Sequence, residues 1–360
     1  MNKRVSAVHG IICRLPGERF GYFGWPSVTR MEDGTLVAAA SGLRGGHICP
    51  WGKTVLFWSR DEGKTWSPPR VVNDTPLDDR DAGIASLGGS RLLLTWFASD
   101  VRKYRETNWG QDSEFAEQWA KACSQLDDDV VKKWAGSWSR LSEDGGGAWG
   151  DFIRVPVNAP HGPTRLRNGE VLYFGKCWLN DQDPGPIRAV KSTNKGRTWQ
   201  DLAVVPIPAG SKHANFCEPH AVELSPGHLL GLVRSESVND DFVDFHMYQT
   251  ESIDGGKSWS TLHSTGIYGS PPHLIRHSTG KVICTYGYRR SPYGIRAMIS
   301  DDEGLTWDPD WIIRDDGPDG DVGYPSTVEL ADGSLFTVCY QKVPGDKKCS
   351  LLWSRWRLMG

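Results

Sequence analysis

The sequence predicts an all-β fold, a six-bladed β-propeller with four antiparallel strands in each blade, and two repeats carry this prediction. One repeat is a strand–turn–strand unit that occurs six times in the 360 residues. The other is a turn motif, Ser-x-Asp-x-Gly-x-x-Trp, that occurs five times. Units of this size cannot bury an apolar face alone, so they pack on their neighbours. Four-stranded units arranged around an axis form a propeller.

Each strand–turn–strand unit has a short alternating strand, a turn that contains glycine, and an apolar strand. Dipeptides such as Asp33-Gly34 and Asn168-Gly169 in these turns are strong hairpin signals. We expect the unit to supply the two inner strands of each blade. The six units are 24–40, 80–96, 161–175, 218–234, 270–287 and 323–340.

A third and a fourth strand follow five of the units, for example at 54–59 and 69–73 in the first blade. The sixth unit is followed by one strand, within 350–358, and no further residues for a fourth. The N-terminal segment 4–15 can supply that strand. This pairing would close the ring and remove its exposed edges, so we treat 1–360 as one domain.

The turn motif, which we call the box, lies between the third and fourth strands. Its Ser and Asp side chains can bond backbone amides of the turn, its Gly allows positive φ, and its Trp packs between sheets. Asn194, which replaces Asp in the third copy, can make the same bonds. A calcium loop would need more carboxylates and a closing Glu. We therefore interpret the boxes as structural and expect neither a metal nor another cofactor. The copies are 59–66, 142–149, 192–199, 252–259 and 300–307.

Strand alternation places the boxes on one face of the propeller and the variable loops on the other, which we call the top face. Loops that vary on a repeated scaffold usually carry function. Blade 2 also has an insertion at 98–136, whose apolar spacing from Phe115 to Trp134 suits one or two amphipathic helices. The insertion is either a lid or rim of a site or a contact in a homo-oligomer. The longer top loops are 41–53, 175–186, 234–245 and 286–296.

The residues that open the innermost strands should project toward the propeller axis on the top face. A single histidine there is usually a satisfied polar group, and Asp81 can simply pair with Arg80. Because such residues from all six blades converge on one point, we predict a polar site there. Its candidate substrate contacts are His161, His220, His273, Arg80 and Trp25. The converging residues are Trp25, Arg80, Asp81, His161, Glu218, His220, His273 and Tyr324.

Composition narrows the class of partner and the compartment. A formal net charge of −3 argues against nucleic acid as a partner. No apolar run reaches the roughly 18 residues of a membrane helix. The first residues lack the long apolar region of a secretory signal. The eight cysteines have no CxxC spacing, which fits free thiols in a reducing compartment. We therefore expect a cytoplasmic protein that contacts neither nucleic acid nor membrane.

Five boxes in a six-unit layout resemble the sialidase (neuraminidase) superfamily, also called BNR-repeat proteins, over nearly the whole chain. The resemblance implies a Tyr nucleophile activated by a Glu, an Asp acid/base and three Arg that hold the substrate carboxylate. Tyr324 in VGYPSTVEL, Glu218 in FCEPHAVEL and Arg234 in LLGLVRSE match the family's positions. Either Arg289 or Arg290 in YGYRRSPYG matches a further Arg.

Two of the family's positions are filled differently in this chain. Trp25 lies where the family has its first Arg, and the blade 1 loop GLRGGHICPWG has no carboxylate to serve as acid/base. His47 in that loop and Asp81 from blade 2 are the alternative proton donors. Arg44 is the candidate for a displaced cation.

Three functions fit these residues. The first is an exo-acting glycoside hydrolase that removes a terminal acidic sugar from a glycan or oligosaccharide, with Tyr324 as nucleophile and Glu218 as its base. The second is a lyase on a uronic-acid sugar, which needs an Arg to neutralise the carboxylate and a His or Tyr base. The third is a propeller that binds an acidic carbohydrate without turnover.

Overall fold

The computed structural model describes residues 3–106, 115–178, 184–236 and 245–358. These residues form six four-stranded antiparallel sheets arranged as a six-bladed β-propeller, which confirms the predicted fold class. Residues 107–114 of the predicted insertion, and 179–183 and 237–244 of the top loops, lie outside the described residues.

The strands follow the predicted order. The first strand of the chain is β1 (Ala7–Cys13). Blade 1 contains β2 (Tyr22–Arg30), β3 (Leu36–Arg44), β4 (Lys53–Ser59) and β5 (Arg70–Asn73). Blade 2 contains β6 (Asp78–Ser86), β7 (Leu92–Ser99), β8 (Gly136–Ser142) and β9 (Ile153–Arg154). Blade 3 contains β10 (Thr164–Arg165), β11 (Val171–Trp178), β12 (Pro184–Ser192) and β13 (Gln200–Val204).

The second half of the ring repeats this arrangement. Blade 4 contains β14 (Phe216–Ser225), β15 (His228–Ser235), β16 (His246–Ser252) and β17 (His263–Tyr268). Blade 5 contains β18 (Pro272–Arg276), β19 (Val282–Tyr288), β20 (Tyr293–Ser300) and β21 (Asp308–Gly317). Blade 6 contains β22 (Gly323–Glu329), β23 (Leu335–Lys342) and β24 (Cys349–Trp356).

The N-terminal strand completes the last blade, as predicted from 4–15. The strand order in blade 6 is β1-β24-β23-β22, and β1 pairs antiparallel with β24, for example Ala7 with Trp356. Both ends of the chain therefore contribute to one sheet, and the outer edge of β24 is paired.

The boxes are hydrogen-bonded turns between the third and fourth strands. The Ser59 hydroxyl donates to Asp61 and accepts from the Gly63 amide, both at 2.8 Å. Asp61 also accepts from the Thr65 amide at 2.9 Å. Asn194 makes the corresponding bond to the Thr198 amide at 2.9 Å, as its sequence position predicts.

Apolar side chains fill the spaces between neighbouring blades. The box residue Trp66 of blade 1, for example, packs on Phe336 of blade 6 with ring centroids 6.1 Å apart. Each buried side chain of this size contributes about 1.5–3 kcal/mol to folding. The boxes thus join adjacent blades as well as adjacent strands.

The blade 2 insertion forms two helices, α1 (Ala116–Ser124) and α2 (Asp128–Trp134), as its apolar spacing predicts. Trp119 and Cys123 of α1 pack against Ile48 and the partly buried Trp51 of the blade 1 loop. The insertion therefore lies on the top face beside that loop. Neither of the helices in the described part of the chain is long and apolar enough to cross a bilayer.

Candidate active site

Four blades place one residue each at the same backbone position of the innermost strand. At this position the strand pairing shifts register, which marks a bulge, and the residue has a positive φ. Such a conformation costs a non-glycine residue about 1–2 kcal/mol and is concentrated at functional sites. The residues and their φ angles are Trp25 (50°), Asp81 (52°), Glu218 (47°) and Tyr324 (48°).

The side chains of Tyr324, Glu218 and Arg234 contact one another. The Tyr324 hydroxyl donates a hydrogen bond to Glu218 Oε1, and Arg234 Nη1 donates to Glu218 Oε2 at 2.6 Å. Arg234 Nη1 also lies 3.4 Å from the Tyr324 hydroxyl oxygen. The structure thus brings together three residues that the sequence analysis assigned to one site.

Burial governs the protonation of this group. It raises the pKa of Tyr324 well above its usual value, and the neighbouring Glu218 carboxylate adds to the shift while Arg234 opposes it. Burial would lower the pKa of Arg234, but Glu218 and the other acidic neighbours together outweigh that effect and raise it well above its usual value. The site therefore holds a neutral phenol whose proton is directed at a carboxylate.

Arg289 and Arg290 point to different places, which the sequence left open. The Arg289 guanidinium lies 5.4 Å from the Tyr324 ring centroid, and its Nε donates to the Val322 carbonyl at 3.0 Å. Arg290 is exposed, and its guanidinium lies 3.7 Å from the Tyr268 ring centroid. Of these two consecutive arginines, Arg289 therefore belongs to the Tyr324 site together with Arg234, and Arg290 lies outside it.

Phe245 covers both site arginines. Its ring centroid lies 4.5 Å from the Arg234 guanidinium carbon and 4.8 Å from that of Arg289. Stacking of this kind restricts where the guanidinium groups can turn and leaves their in-plane N–H donors available.

Asp81 and Arg80 form the other side of the site. Asp81 Oδ1 is enclosed and has no hydrogen-bond partner among the described residues. Burial, opposed by Arg80 and reinforced by the neighbouring Glu218, raises the pKa of Asp81 to about 7. A carboxyl group of this kind exists in both protonation states near neutral pH.

Arg44 is held in a buried ion pair and does not face the site. Its Nη1 and Nη2 bond the two carboxylate oxygens of Asp78 at 2.6 and 2.8 Å, and both side chains are fully buried. Nη2 also donates to the His47 carbonyl at 3.0 Å. Arg44 therefore fixes the blade 1 loop to blade 2.

His47 is engaged by neighbouring groups. Its Nδ1 lies 3.3 Å from Asp321 Oδ1 and 3.3 Å from the Tyr22 hydroxyl oxygen. Burial lowers the pKa of His47, although the hydrogen bond to Asp321 opposes the shift. A ring bound to an ionised Asp321 is less suited than Asp81 to protonate a leaving group.

Trp25 forms a wall of the site and is only 1% exposed. His47 packs edge-on against its ring at 4.8 Å, and the Arg80 guanidinium stacks on it at 4.4 Å. Its ring centroid lies 6.4 Å from that of Tyr324. Where the family has an Arg, this chain therefore has an apolar side chain that orients another cation, Arg80.

The rings of His161, His220 and His273 pack together next to Tyr324, and the His161 ring centroid lies 6.4 Å from that of Tyr324. The rings of His220 and His273 stack at 4.4 Å, and His161 packs edge-on to His273 at 5.0 Å. All three are buried, and burial lowers their pKa values, that of His220 to about 3.

The tautomers of this group argue against metal binding. His220 Nδ1 accepts the Leu274 amide proton at 3.0 Å, and His273 Nδ1 accepts that of Thr327 at 3.2 Å. A neutral imidazole that accepts at Nδ1 carries its proton on Nε2, which cannot then bind a metal. Over the described ranges, no group of three or more metal-ligating side chains is arranged to hold an ion.

Sequence reasoning missed Glu236, Asp78 and Phe245. Glu236 Oε1 accepts from Arg234 Nη2 at 2.7 Å, so Arg234 bridges two carboxylates. Its position two residues after Arg234 was a usable signal, because alternate strand residues share a face. The bulges also had a signal: Pro follows Trp25, Glu218 and Tyr324, and Pro within an inner strand marks a bulge.

The chain matches two family models that describe BNR repeats. A family model described as the BNR repeat-like domain matches residues 128–337. A second model, the BNR/Asp-box repeat, matches residues 57–68, which contain the first box. No curated protein sequence matches the chain.

Solved structures with the same architecture cover almost the whole chain. A protein of unknown function from Dyadobacter fermentans is 22% identical, with 99% of both chains covered and a TM-score of 0.77. An intramolecular trans-sialidase from Ruminococcus gnavus is 16% identical, with 97% of both chains covered and a TM-score of 0.66. An α-L-arabinofuranosidase from Fusarium graminearum is 14% identical, with 99% and 98% covered and a TM-score of 0.66. At these identities the likeness establishes a shared fold.

Proposed function

The chain belongs to the BNR repeat-like domain family, and on that premise we propose that it is a sialidase-like exo-glycoside hydrolase that removes a terminal acidic sugar from a glycan. The hydrogen bond from the Tyr324 hydroxyl to Glu218 carries this proposal. A phenol with a strongly raised pKa becomes a nucleophile only if a base takes its proton as it attacks. Glu218 is positioned to be that base.

The first chemical step forms a bond between the Tyr324 oxygen and the anomeric carbon and breaks the glycosidic C–O bond. The phenol proton passes to Glu218, and Asp81 protonates the leaving oxygen. In the second step Asp81 takes a proton from water as the water oxygen attacks the anomeric carbon. Tyr324 leaves and recovers its proton from Glu218, so that the enzyme returns to its initial state.

A neutral nucleophile suits a sugar whose anomeric carbon bears a carboxylate, because an anionic nucleophile would be repelled by it. Arg289 supports recognition of that carboxylate. Within the described residues no carboxylate lies at ion-pair distance from Arg289, whereas Arg234 is paired with Glu218 and Glu236. The substrate carboxylate would therefore bind Arg289 as its main partner and share Arg234 with Glu218.

The site offers less support for a lyase or for a protein that only binds its carbohydrate. A lyase needs a base that reaches a carbon-bound proton, yet His220 and His273 are buried with Nδ1 already accepting backbone protons. A lectin has no need of an enclosed carboxyl group with a raised pKa or of a phenol hydrogen-bonded to a carboxylate.

The substitution Tyr324→Phe tests the proposal because it removes only the nucleophilic oxygen. With an aryl α-glycoside of a sialic acid, we expect kcat to fall by about 10³-fold or more. Tyr173→Phe is the matched control: it removes another buried hydroxyl, one that accepts from the Ala159 amide at 3.1 Å in blade 3. Undiminished hydrolysis by Tyr324→Phe would overturn the assignment. The structure of the product also decides the class, since a lyase product contains a new C=C bond and the hydrolysis product does not.

A further inference from the structure

A series of aromatic and cationic side chains leads outward from the site arginines across the top of blades 4 and 5. Phe245, which covers Arg234 and Arg289, packs against Tyr268 with ring centroids 6.3 Å apart. Tyr268 packs edge-on against Tyr288 at 5.4 Å. We call Phe245, Tyr268, Tyr288 and Arg290 the blade 4–5 platform. The hydrolytic mechanism uses none of these four groups.

Arg290 gives the platform its charge. Its guanidinium lies on the face of Tyr268 at 3.7 Å, and the residue is exposed. The neighbouring Arg296 stacks on Tyr288 in the same way at 3.4 Å, but Asp310 accepts from it at 3.0 Å. In the part of the chain that the structure describes, no carboxylate lies within ion-pair distance of Arg290.

A guanidinium that stacks on an aromatic ring keeps its N–H donors in the plane of the group and free for an anion. The aromatic rings beside it offer faces and edges on which the apolar side of a sugar can pack. Arg290 lies on Tyr268, which packs beside Phe245, the ring that covers Arg289, so an anion bound at Arg290 would lie next to the Tyr324 site. The platform therefore combines sugar packing with recognition of a second negative charge.

We propose that the blade 4–5 platform is a second subsite, which binds an anionic group on the sugar next to the one that is released. The inference rests on the proposed function and makes it more specific: the preferred substrate is an oligosaccharide with two adjacent acidic units. The second anion is a carboxylate or a sulfate, since either forms paired hydrogen bonds with a guanidinium.

Steady-state kinetics of Arg290→Gln test the subsite with four substrates that release the same sugar. One carries an aryl leaving group, one a neutral sugar, one a second sugar with a carboxylate and one a second sugar with a sulfate. We expect KM to rise about 10-fold for the diacidic substrates alone, with kcat unchanged, and Arg290→Lys to recover part of the loss. The diacidic substrate whose KM rises more identifies the preferred anion. An equal effect on all four substrates, or no effect on any of them, would overturn the subsite.

Arg276→Gln is the matched control, because Arg276 is an arginine of the same blade that pairs with Glu303 in a box on the other face. A binding measurement distinguishes failure of the hydrolase proposal from failure of the subsite. Calorimetry gives the affinity of the diacidic sugar for Tyr324→Phe and for the double variant Tyr324→Phe/Arg290→Gln. If the wild type cleaves no glycoside, the hydrolase proposal fails, and the subsite stands or falls on binding: a tenfold loss of affinity supports it, and equal affinities refute it.

Discussion

The backbone conformation, the burial and the neighbours of Asp81 together suit it to the role of a general acid. Its left-handed backbone conformation turns it out of the strand, its Oδ1 is enclosed, and Arg80 beside it is held against Trp25. Glu218 lies near enough to raise the pKa of Asp81. Two carboxyl groups in different environments can divide the work of acid and base, and the raised pKa of Asp81 suits it to the acid role.

This division predicts the pH dependence of hydrolysis. Because Asp81 must be protonated to assist the leaving group and burial raises its pKa to about 7, kcat/KM should fall as pH rises above about 7. Asp81→Asn should remove this alkaline decline. It should also lower kcat/KM for a sugar leaving group by about 10²–10⁴-fold, with little effect on kcat/KM for an activated aryl leaving group, whose departure needs no proton. A pH–rate profile on both substrates is the measurement, and an alkaline decline that persists in Asp81→Asn would assign it to another group.

The boxes form the same turn with a charged residue, Asp61 in the first copy, and with a neutral one, Asn194 in the third. Asp61 accepts from Ser59 and twice from Thr65, and these hydrogen bonds lower its pKa to about 2. Asn194 accepts in the same way from the Ser192 hydroxyl and the Thr198 amide, while its own Nδ2 donates to the Thr198 hydroxyl. The turn therefore depends on acceptor geometry, and the charge adds a contribution that varies with pH.

We predict that Asp61→Asn lowers the urea midpoint slightly and Asp61→Ala lowers it more, because only Asn keeps an acceptor for the Thr65 amide. The folded state has the lower pKa, so the contribution of the Asp61 charge is present above about pH 4 and is lost as pH falls toward 2. The difference in midpoint between wild type and Asp61→Asn should accordingly shrink over that interval. Equal midpoints for the Asn and Ala variants at pH 7 would contradict this account of the turn.

The strands, boxes and ring closure could be predicted because each repeats or completes a local pattern. Tyr324 and Glu218 could be placed because the repeat register fixes where each innermost strand begins, and Arg234 because it matches an Arg of the family that the chain resembles. Local pattern could not distinguish Arg289 from Arg290, since the end of a strand can direct either side chain inward. It also could not show that Arg44 is paired with Asp78, which lies in the next blade. Contacts between blades depend on packing that no single repeat encodes.

At the scale of the whole molecule, β1 joins the beginning and the end of the propeller in one blade. Without it, β24 would present an unpaired edge, and residues of blade 6 such as Tyr324 would rest on an open ring. The seam is tightly packed at Gly10, which pairs with Trp353 of β24. A Cβ atom on Gly10 would lie 2.3 Å from the Trp353 indole, which itself stacks on Phe336 at 5.2 Å.

Gly10→Val should therefore weaken the closure of the ring. We expect a loss of about 1–3 kcal/mol in the free energy of unfolding, the usual effect of overpacking, measured by urea denaturation. Limited proteolysis should also cut first near the N-terminus, because β1 separates before the inner strands. Gly17→Ala is the control, since a Cβ there meets no atom within 4 Å. If Gly10→Val unfolds at the same urea concentration as Gly17→Ala, the packing of β1 on Trp353 does not limit the stability of the propeller.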